Sequence, residues 1–247
     1  MSVEQRLLKA IDEYGTIHLT LIDPDFQTPR RAAEIAVLAV EGGTTAVMVG
    51  GSVGVGGPTL EYTVREIKDN ITAPVILFPA DVGGVCAIAD AIFFMSLLNS
   101  RNVMYVTTNQ ALGAPFVKRY GIEPLPMAYI IVEPGGTVGW VGDSRPIPAD
   151  KFKLAEAYAL AGKYLGMRWI YLEAGSGAPK PVPLKMVSIV KDAIGDTKLI
   201  VGGGVKTEKQ AALLSKAGAD AIVTGTAIEH ESDVRAKIEG FVKSIRH

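Results

Sequence analysis

Short apolar runs rich in β-branched and aromatic residues alternate with longer amphipathic segments along the whole chain, and no other feature constrains its folding more. The strand-like runs are Ile17–Ile22, Ala46–Val49, Val75–Phe78, Ala91–Met95, Ala128–Val132, Trp169–Leu172, Lys198–Val201 and Ala221–Thr224. Strands that are apolar at nearly every position need cover on both faces, which is the condition of a parallel sheet flanked by helices. Helix boundaries are marked in the same sequence. Thr28 and Pro29 read as an N-cap and first helical position, with Gly42 beyond the far end. Thr207 and Gln210 form a capping box, with Gly218 past the end of that helix. No shift of composition marks a linker, so residues 1–247 read as one domain.

Eight such units in 247 residues predict an α/β fold of the (β/α)8 barrel type, whose single domains run to about 250 residues. An open doubly wound sheet is the alternative, but its G-x-G-x-x-G fingerprint is absent, as is the Walker phosphate loop. One unit is incomplete. Only Pro79 to Asp90, with Gly83 and Gly84, separates the third and fourth strands, which is too short for two loops and a full helix. An irregular segment is therefore expected in place of the third outer helix, leaving an opening in the barrel wall. Glu133 to Pro148 is a long Gly- and Pro-rich connection instead. It carries Trp140, a large aromatic that either anchors a contact between subunits or packs on its own barrel.

Composition removes several classes of function. The 25 Lys and Arg balance 26 Asp and Glu for a net charge of -1, so the chain lacks the basic footprint of a nucleic-acid binder. The single Cys86 excludes a disulfide framework and multi-cysteine metal sites, and suits a reducing cytoplasm. No basic segment followed by an apolar run opens the chain, so no secretory signal is expected. Hydrophobic residues make up 48% of the chain, yet its most apolar stretch, Val85–Leu98, is broken by Asp90. That stretch falls short of the ~20 residues of a bilayer span, and any membrane contact is at most peripheral. The surplus apolarity belongs in a layered core, or lines a site for something greasy.

Reacting groups in such barrels sit at the carboxyl ends of the strands. There the chain places Asp23-Pro24-Asp25, Gly50-Gly51-Ser52, Glu173-Ala174-Gly175-Ser176-Gly177, Gly202-Gly203-Gly204, and Gly225-Thr226 behind Thr224. Glycines after the last two strands let backbone N–H groups approach an anion, with the following helix N-termini adding their positive ends. Ordinary tight turns are the blander account. Alternation in the sixth strand turns Tyr171 and Glu173 toward the mouth and Leu172 away from it. A carboxylate beside an anion cradle is unfavourable unless it receives a hydrogen bond or proton from a substrate hydroxyl, or caps its own glycine loop. Asp23 and Ser52, at neighbouring strand ends, suit magnesium better than zinc, unless Asp23 merely forms a turn ahead of Thr28.

Gly50 to Gly54 also fits G-x-S-x-G, the nucleophile elbow of hydrolases. That elbow belongs to an open sheet, and of His18, His230 and His247 only His230 is placed to serve it. A phosphosugar isomerase pairing Asp23 with Glu133, and a non-catalytic anion-binding barrel, are the other competing readings.

His18–Asp25, Val49–Ser52, Leu98-Asn99-Ser100-Arg101-Asn102, Tyr171–Gly177, Val201–Gly204 and Thr224–Thr226, in that order, resemble the archaeal geranylgeranylglyceryl phosphate synthases over most of the chain. The resemblance implies a prenyltransferase on a modified barrel that joins sn-glycerol 1-phosphate to geranylgeranyl diphosphate, forming the first ether bond of archaeal membrane phospholipids. It implies that Asp23 and Ser52 hold Mg2+. Glycerol 1-phosphate would be held by Tyr171, Leu172, Glu173, Ala174, Gly175, Ser176 and Gly177, by Gly202, Gly203 and Gly204, and by Thr224, Gly225 and Thr226. Glu173 and Tyr171 would be catalytic, with Glu173 taking the proton of the attacking hydroxyl. A cytoplasmic homo-oligomer built from dimers is also implied. Phe26 stands where relatives carry Lys after Asp-Pro-Asp, so that cationic contact is missing or supplied elsewhere.

Overall fold

The chain opens on α1 (Val3–Tyr14), which Ser2 and Gln5 start with a capping box. This helix stands outside the alternation read from the sequence. It closes the floor of the core, where Val3, Leu7 and Ile11 pack with the inward residues Leu19, Phe93 and Trp169. Glu123 accepts from the N–H groups of Val3 and Glu4, and Glu4 accepts from the Trp169 indole at 2.9 Å. A carboxylate there meets the orphan donors and the positive end of the helix dipole together.

After α1 come β1 (Ile17–Ile22), α2 (Pro29–Glu41), β2 (Ala46–Val49), α3 (Gly57–Asn70), β3 (Val75–Leu77), β4 (Ala91–Leu97), α4 (Asn109–Tyr120) and β5 (Glu123–Ile131). The second half holds α5 (Gly136–Val141), α6 (Phe152–Tyr164), β6 (Trp169–Glu173), α7 (Leu184–Ile194), β7 (Lys198–Gly202), α8 (Glu208–Lys216), β8 (Ala221–Thr224), α9 (Thr226–Glu229) and α10 (Val234–Ile245). The structure, a computed structural model, describes residues 1–53, 56–229 and 231–246. Its strands form one closed parallel barrel in chain order, with β8 pairing back on β1 from Ile17↔Ala221 to Thr20↔Thr224. The expected (β/α)8 barrel is the fold.

Alternate residues of each strand divide the core in two. Met48, Ile76, Phe93, Tyr129, Tyr171 and Val223 fill the interior. Val47, Val49 and Leu77 face outward among residues of α2 and α3, while Ile170, Leu172 and Val201 pack with those of α6 and α7. The fifth strand starts five residues earlier than its apolar run suggests, at Glu123 rather than Ala128. Pro124 and Pro126 hide that stretch in the sequence. They are tolerated because β6 begins only at Trp169, opposite Met127, so no ladder partner is lost on that side, while β4 pairs from Ala91↔Glu123 onward.

Between β3 and β4 stands only a 3-10 turn, Val82–Gly84, started by Asp81, whose Oδ1 accepts from the Gly83 N–H at 2.7 Å. The third outer helix is absent, as its short segment predicts. A π-helical turn at Met104–Thr108 leads from β4 into α4, which touches the 3-10 turn from the far side of the gap. Among the described residues no helix is long and apolar enough to cross a membrane.

Candidate active site

The mouth of the barrel opens into a cavity of about 660 Å3. Its polar end is lined by Asp23, Ser52, Glu173, Ser176, Gly203 and Thr226, which follow or end five different strands. Its apolar arm passes over β3 and β4 under α4, past Phe78, Val85, Ile92, Phe94, Gly113 and Val117. The gap left by the missing helix is therefore where a polar mouth continues into a greasy trough.

Glu173 ends β6 and is 6% exposed. Its Oε1 accepts from the Gly175 N–H at 2.6 Å and its Oε2 from the Tyr129 hydroxyl at 3.3 Å. It thus caps its own loop and faces the mouth at once, so the two accounts of this carboxylate are not exclusive. Burial raises its pKa above the ordinary carboxylate value, against the pull of the Gly175 N–H and of the Tyr171 and Tyr129 hydroxyls. Burial, then the charge of Glu173, pushes both phenols well above their usual value, which keeps them neutral donors. Tyr171 stacks on Phe78 at 5.6 Å and meets Tyr129 edge to face at 5.1 Å, so three aromatic rings lie beside the carboxylate. Sequence reasoning missed Tyr129 and Phe78. The two-residue period of β5 turns Tyr129 inward with Met127 and Ile131, but nothing local marks that face as reactive.

The glycines after β7 have a second task. A Cβ on Gly202 would strike the Tyr171 hydroxyl, and one on Gly203, where φ is 79°, would strike the Glu173 carboxylate and the Gly175 N–H. These positions make room for the two β6 side chains. The Ser176 and Thr226 hydroxyls meet at 2.7 Å, tying the loop after β6 to the turn after β8. Helix dipoles contribute less than expected: α9 is one turn long, and α8 starts behind its own Thr207 capping box.

Asp23, Ser52, Tyr171 and Glu173 line the cavity, and so do Ser176, Gly177, Gly203, Gly204, Gly225 and Thr226. Leu172 and Ala174 do not, because they are the outward members of the alternation and sit in the core beneath the helices. Gly175 and Gly202 act one step back, the first by holding Glu173, the second by admitting Tyr171. Thr224 borders the cavity too, and its hydroxyl is bonded to Nε2 of His18 at 2.9 Å. Glu133 is exposed, accepts from the Ala149 N–H at 3.3 Å and stays out of the cavity lining, which removes its pairing with Asp23. Phe26 is 74% exposed at the rim. Cys86 is buried, and burial raises its thiol pKa. Gly54, His230 and His247 lie outside the described residues. Among the described residues no group of three or more His, Cys, Asp or Glu could hold a metal. Asp23 and Ser52 offer two hard oxygen donors, a set that fits a cation completing its shell with water and ligand oxygens.

The sequence matches the PcrB family over residues 9–245. The chain belongs to the PcrB family. This PcrB-family chain is 58% identical over 246 residues to the geranylgeranylglyceryl phosphate synthase of Methanosarcina acetivorans, covering 100% of both. It is 59% identical over 243 residues to that of Methanothrix thermoacetophila, covering 98% of this chain and 95% of the other. The crystal structure of (S)-3-O-geranylgeranylglyceryl phosphate synthase from Thermoplasma acidophilum, in complex with substrate sn-glycerol-1-phosphate, has a TM-score of 0.96 at 41% identity, covering 100% of this PcrB-family chain and 99% of that one.

Proposed function

We propose that this chain is a geranylgeranylglyceryl phosphate synthase, a prenyltransferase that joins sn-glycerol 1-phosphate to geranylgeranyl diphosphate and forms the first ether bond of archaeal membrane phospholipids. One observation carries the reading: the buried carboxylate of Glu173 stands in the cavity where a glycine-lined polar end meets an apolar arm. Relatives of that name and a structural neighbour crystallised with sn-glycerol-1-phosphate support the acceptor. The greasy arm over the β3–β4 gap supports a prenyl donor.

In this reading the acceptor's phosphate lies on the N–H groups of Gly203, Gly204 and Gly225 and the hydroxyls of Ser176 and Thr226, and its free hydroxyl faces Glu173. Glu173 takes the hydroxyl proton as the new C–O bond forms. The donor's C–O bond to diphosphate breaks, and its electron pair leaves on pyrophosphate. Tyr129 steadies the second oxygen of Glu173, and the rings of Phe78, Tyr129 and Tyr171 are favourable neighbours for allylic positive charge. A glycerol hydroxyl is a weak nucleophile, so much of the rate comes from holding both reactants in line. Asp23 and Ser52 would hold Mg2+, whose chemistry when bound is to neutralise the diphosphate and stabilise the leaving group. The buried single cysteine supports a cytoplasmic setting. Trp140, 86% exposed, supports a homo-oligomer built from dimers.

The test is an assay of purified protein with labelled sn-glycerol 1-phosphate and prenyl diphosphates of several lengths. The expected outcome is an ether product with the geranylgeranyl donor, lost on chelation and restored by Mg2+. No product with any donor refutes the reaction class, and full activity after chelation refutes the metal assignment.

A further inference from the structure

The string Leu98–Asn102 carries part of the resemblance to relatives, yet no step of the reaction uses it. Its residues follow β4 and meet the connection after β5: Asn99 bonds Ile131 and Arg145, on either side of the segment Gly135–Asp143, and Ser100 and Arg101 bond Gly142 and Asp143 at its far end. Asn99 is 2% exposed; its amide donates to the carbonyls of Ile131 at 2.8 Å and Arg145 at 2.9 Å, and its Oδ1 accepts from the Ile131 N–H at 3.0 Å. The Ser100 hydroxyl donates to the Gly142 carbonyl at 2.6 Å. Arg101 donates its N–H to the Asp143 carbonyl at 2.9 Å, and its guanidinium pairs with the Asp143 carboxylate at 2.6 Å. Asp143 has a φ of 42°, the one positive value outside glycine among the described residues. Asp visits that region more readily than most non-glycine residues, though still at a cost relative to glycine that its contacts here offset.

The segment clamped in this way touches both the loop that holds Glu173 and the cavity itself. At its start the Gly135 N–H donates to the Ala174 carbonyl at 3.0 Å, and Gly135 and Gly136 lie against Gly175, whose N–H holds Glu173. Farther on, Val138, Val141 and Gly142 line the cavity, and Val138 packs with the interior group that contains Tyr129 and Tyr171. Gly142 lies so close to Leu97 that a Cβ there would collide with it. One piece of chain therefore backs the carboxylate loop and also gives the cavity two of its apolar lining side chains, Val138 and Val141.

We propose that Asn99, Ser100 and Arg101 are positioning residues for the prenyl donor, which clamp Gly135–Asp143 and so hold Val138 and Val141 as the wall on which the donor chain lies. The identity of the donor rests on the prenyltransferase reading; the clamp does not. The Arg101 side chain is 69% exposed, so its removal spares the core.

The experiment compares wild type, Arg101→Ala, and Arg101→Ala combined with Asp143→Gly. Arg101→Ala is expected to raise the KM for geranylgeranyl diphosphate about five- to tenfold and to leave the KM for sn-glycerol 1-phosphate within about twofold. Adding Asp143→Gly restores most of the donor KM, because glycine holds a positive φ without the ion pair. Fluorine NMR of 5-fluorotryptophan-labelled protein gives a readout independent of turnover. Trp140 lies in the clamped segment and Trp169 is buried in the barrel interior. Arg101→Ala is expected to broaden and shift the Trp140 resonance and leave that of Trp169 in place. An unmoved Trp140 resonance, an unchanged donor KM, or an equal rise in both KM values overturns the proposal. If wild type turns over no prenyl diphosphate, the prenyltransferase reading fails on its own, and the fluorine spectrum alone then decides whether the clamp exists.

Discussion

Glu173 titrates above ordinary carboxylates because burial penalises its charge. As a base it acts only when ionised, so kcat/KM is expected to rise with pH through a pKa above that of a free glutamate. Glu173→Gln is expected to lose that limb and about 10²- to 10⁴-fold in kcat, with calorimetry showing nearly unchanged binding of sn-glycerol 1-phosphate. The same shift acts on stability with a definite sign. The folded state holds this proton more tightly than the unfolded one, so stability falls as pH rises between the unfolded and folded pKa values. His18 behaves oppositely. Stacked on Phe241 at 5.8 Å and bonded to Thr44 and Thr224, its imidazole is lowered by burial from 6.5 to about 3. Its contribution is complete above pH 6.5 and declines as pH falls toward the folded value, by about 2 kcal/mol at pH 5. Thermal unfolding at pH 5 and pH 7.5 is expected to show a larger acid loss for wild type than for His18→Gln.

The loop after β7 is held to glycine from two sides, by its own backbone and by β6. Gly203→Ala forces a Cβ onto a positive φ and into the Glu173 carboxylate. It is expected to cost about 1–3 kcal/mol of stability, read by denaturant unfolding, and to raise the KM for sn-glycerol 1-phosphate at least about tenfold. Other elements were plain beforehand. Thr28 accepts from the Arg31 N–H at 3.3 Å and Thr207 closes its box with Gln210, because caps are short-range chemistry. α5 was not legible, since Gly136-Thr-Val-Gly-Trp-Val141 has little helix propensity and sits inside a Gly- and Pro-rich connection. The early part of β5 was masked by prolines whose tolerance depends on where the neighbouring strand begins.

Across the whole molecule, the absent third helix and the position of α4 create the arm. Gly113 faces that arm from α4, and a Cβ there would make only an ordinary contact with Val85 at 3.9 Å. Gly113→Leu improves helix propensity while filling the trough, so the protein is expected to fold and its KM for geranylgeranyl diphosphate to rise about tenfold or more, with shorter donors affected less. An unchanged KM would put the donor elsewhere. The order of eight strands, the gap in the wall and the residue types at the strand ends are all legible along the chain. Those follow from a two-residue period, helix caps and glycine spacing, all local properties. It takes the folded chain to show that Tyr129 reaches Glu173 across 44 positions, that Thr224 bonds His18, that Glu133 stays out of the cavity lining, and that α4 shelters an apolar arm. Those arrangements depend on closing the ring and packing distant side chains together, information that no local pattern carries.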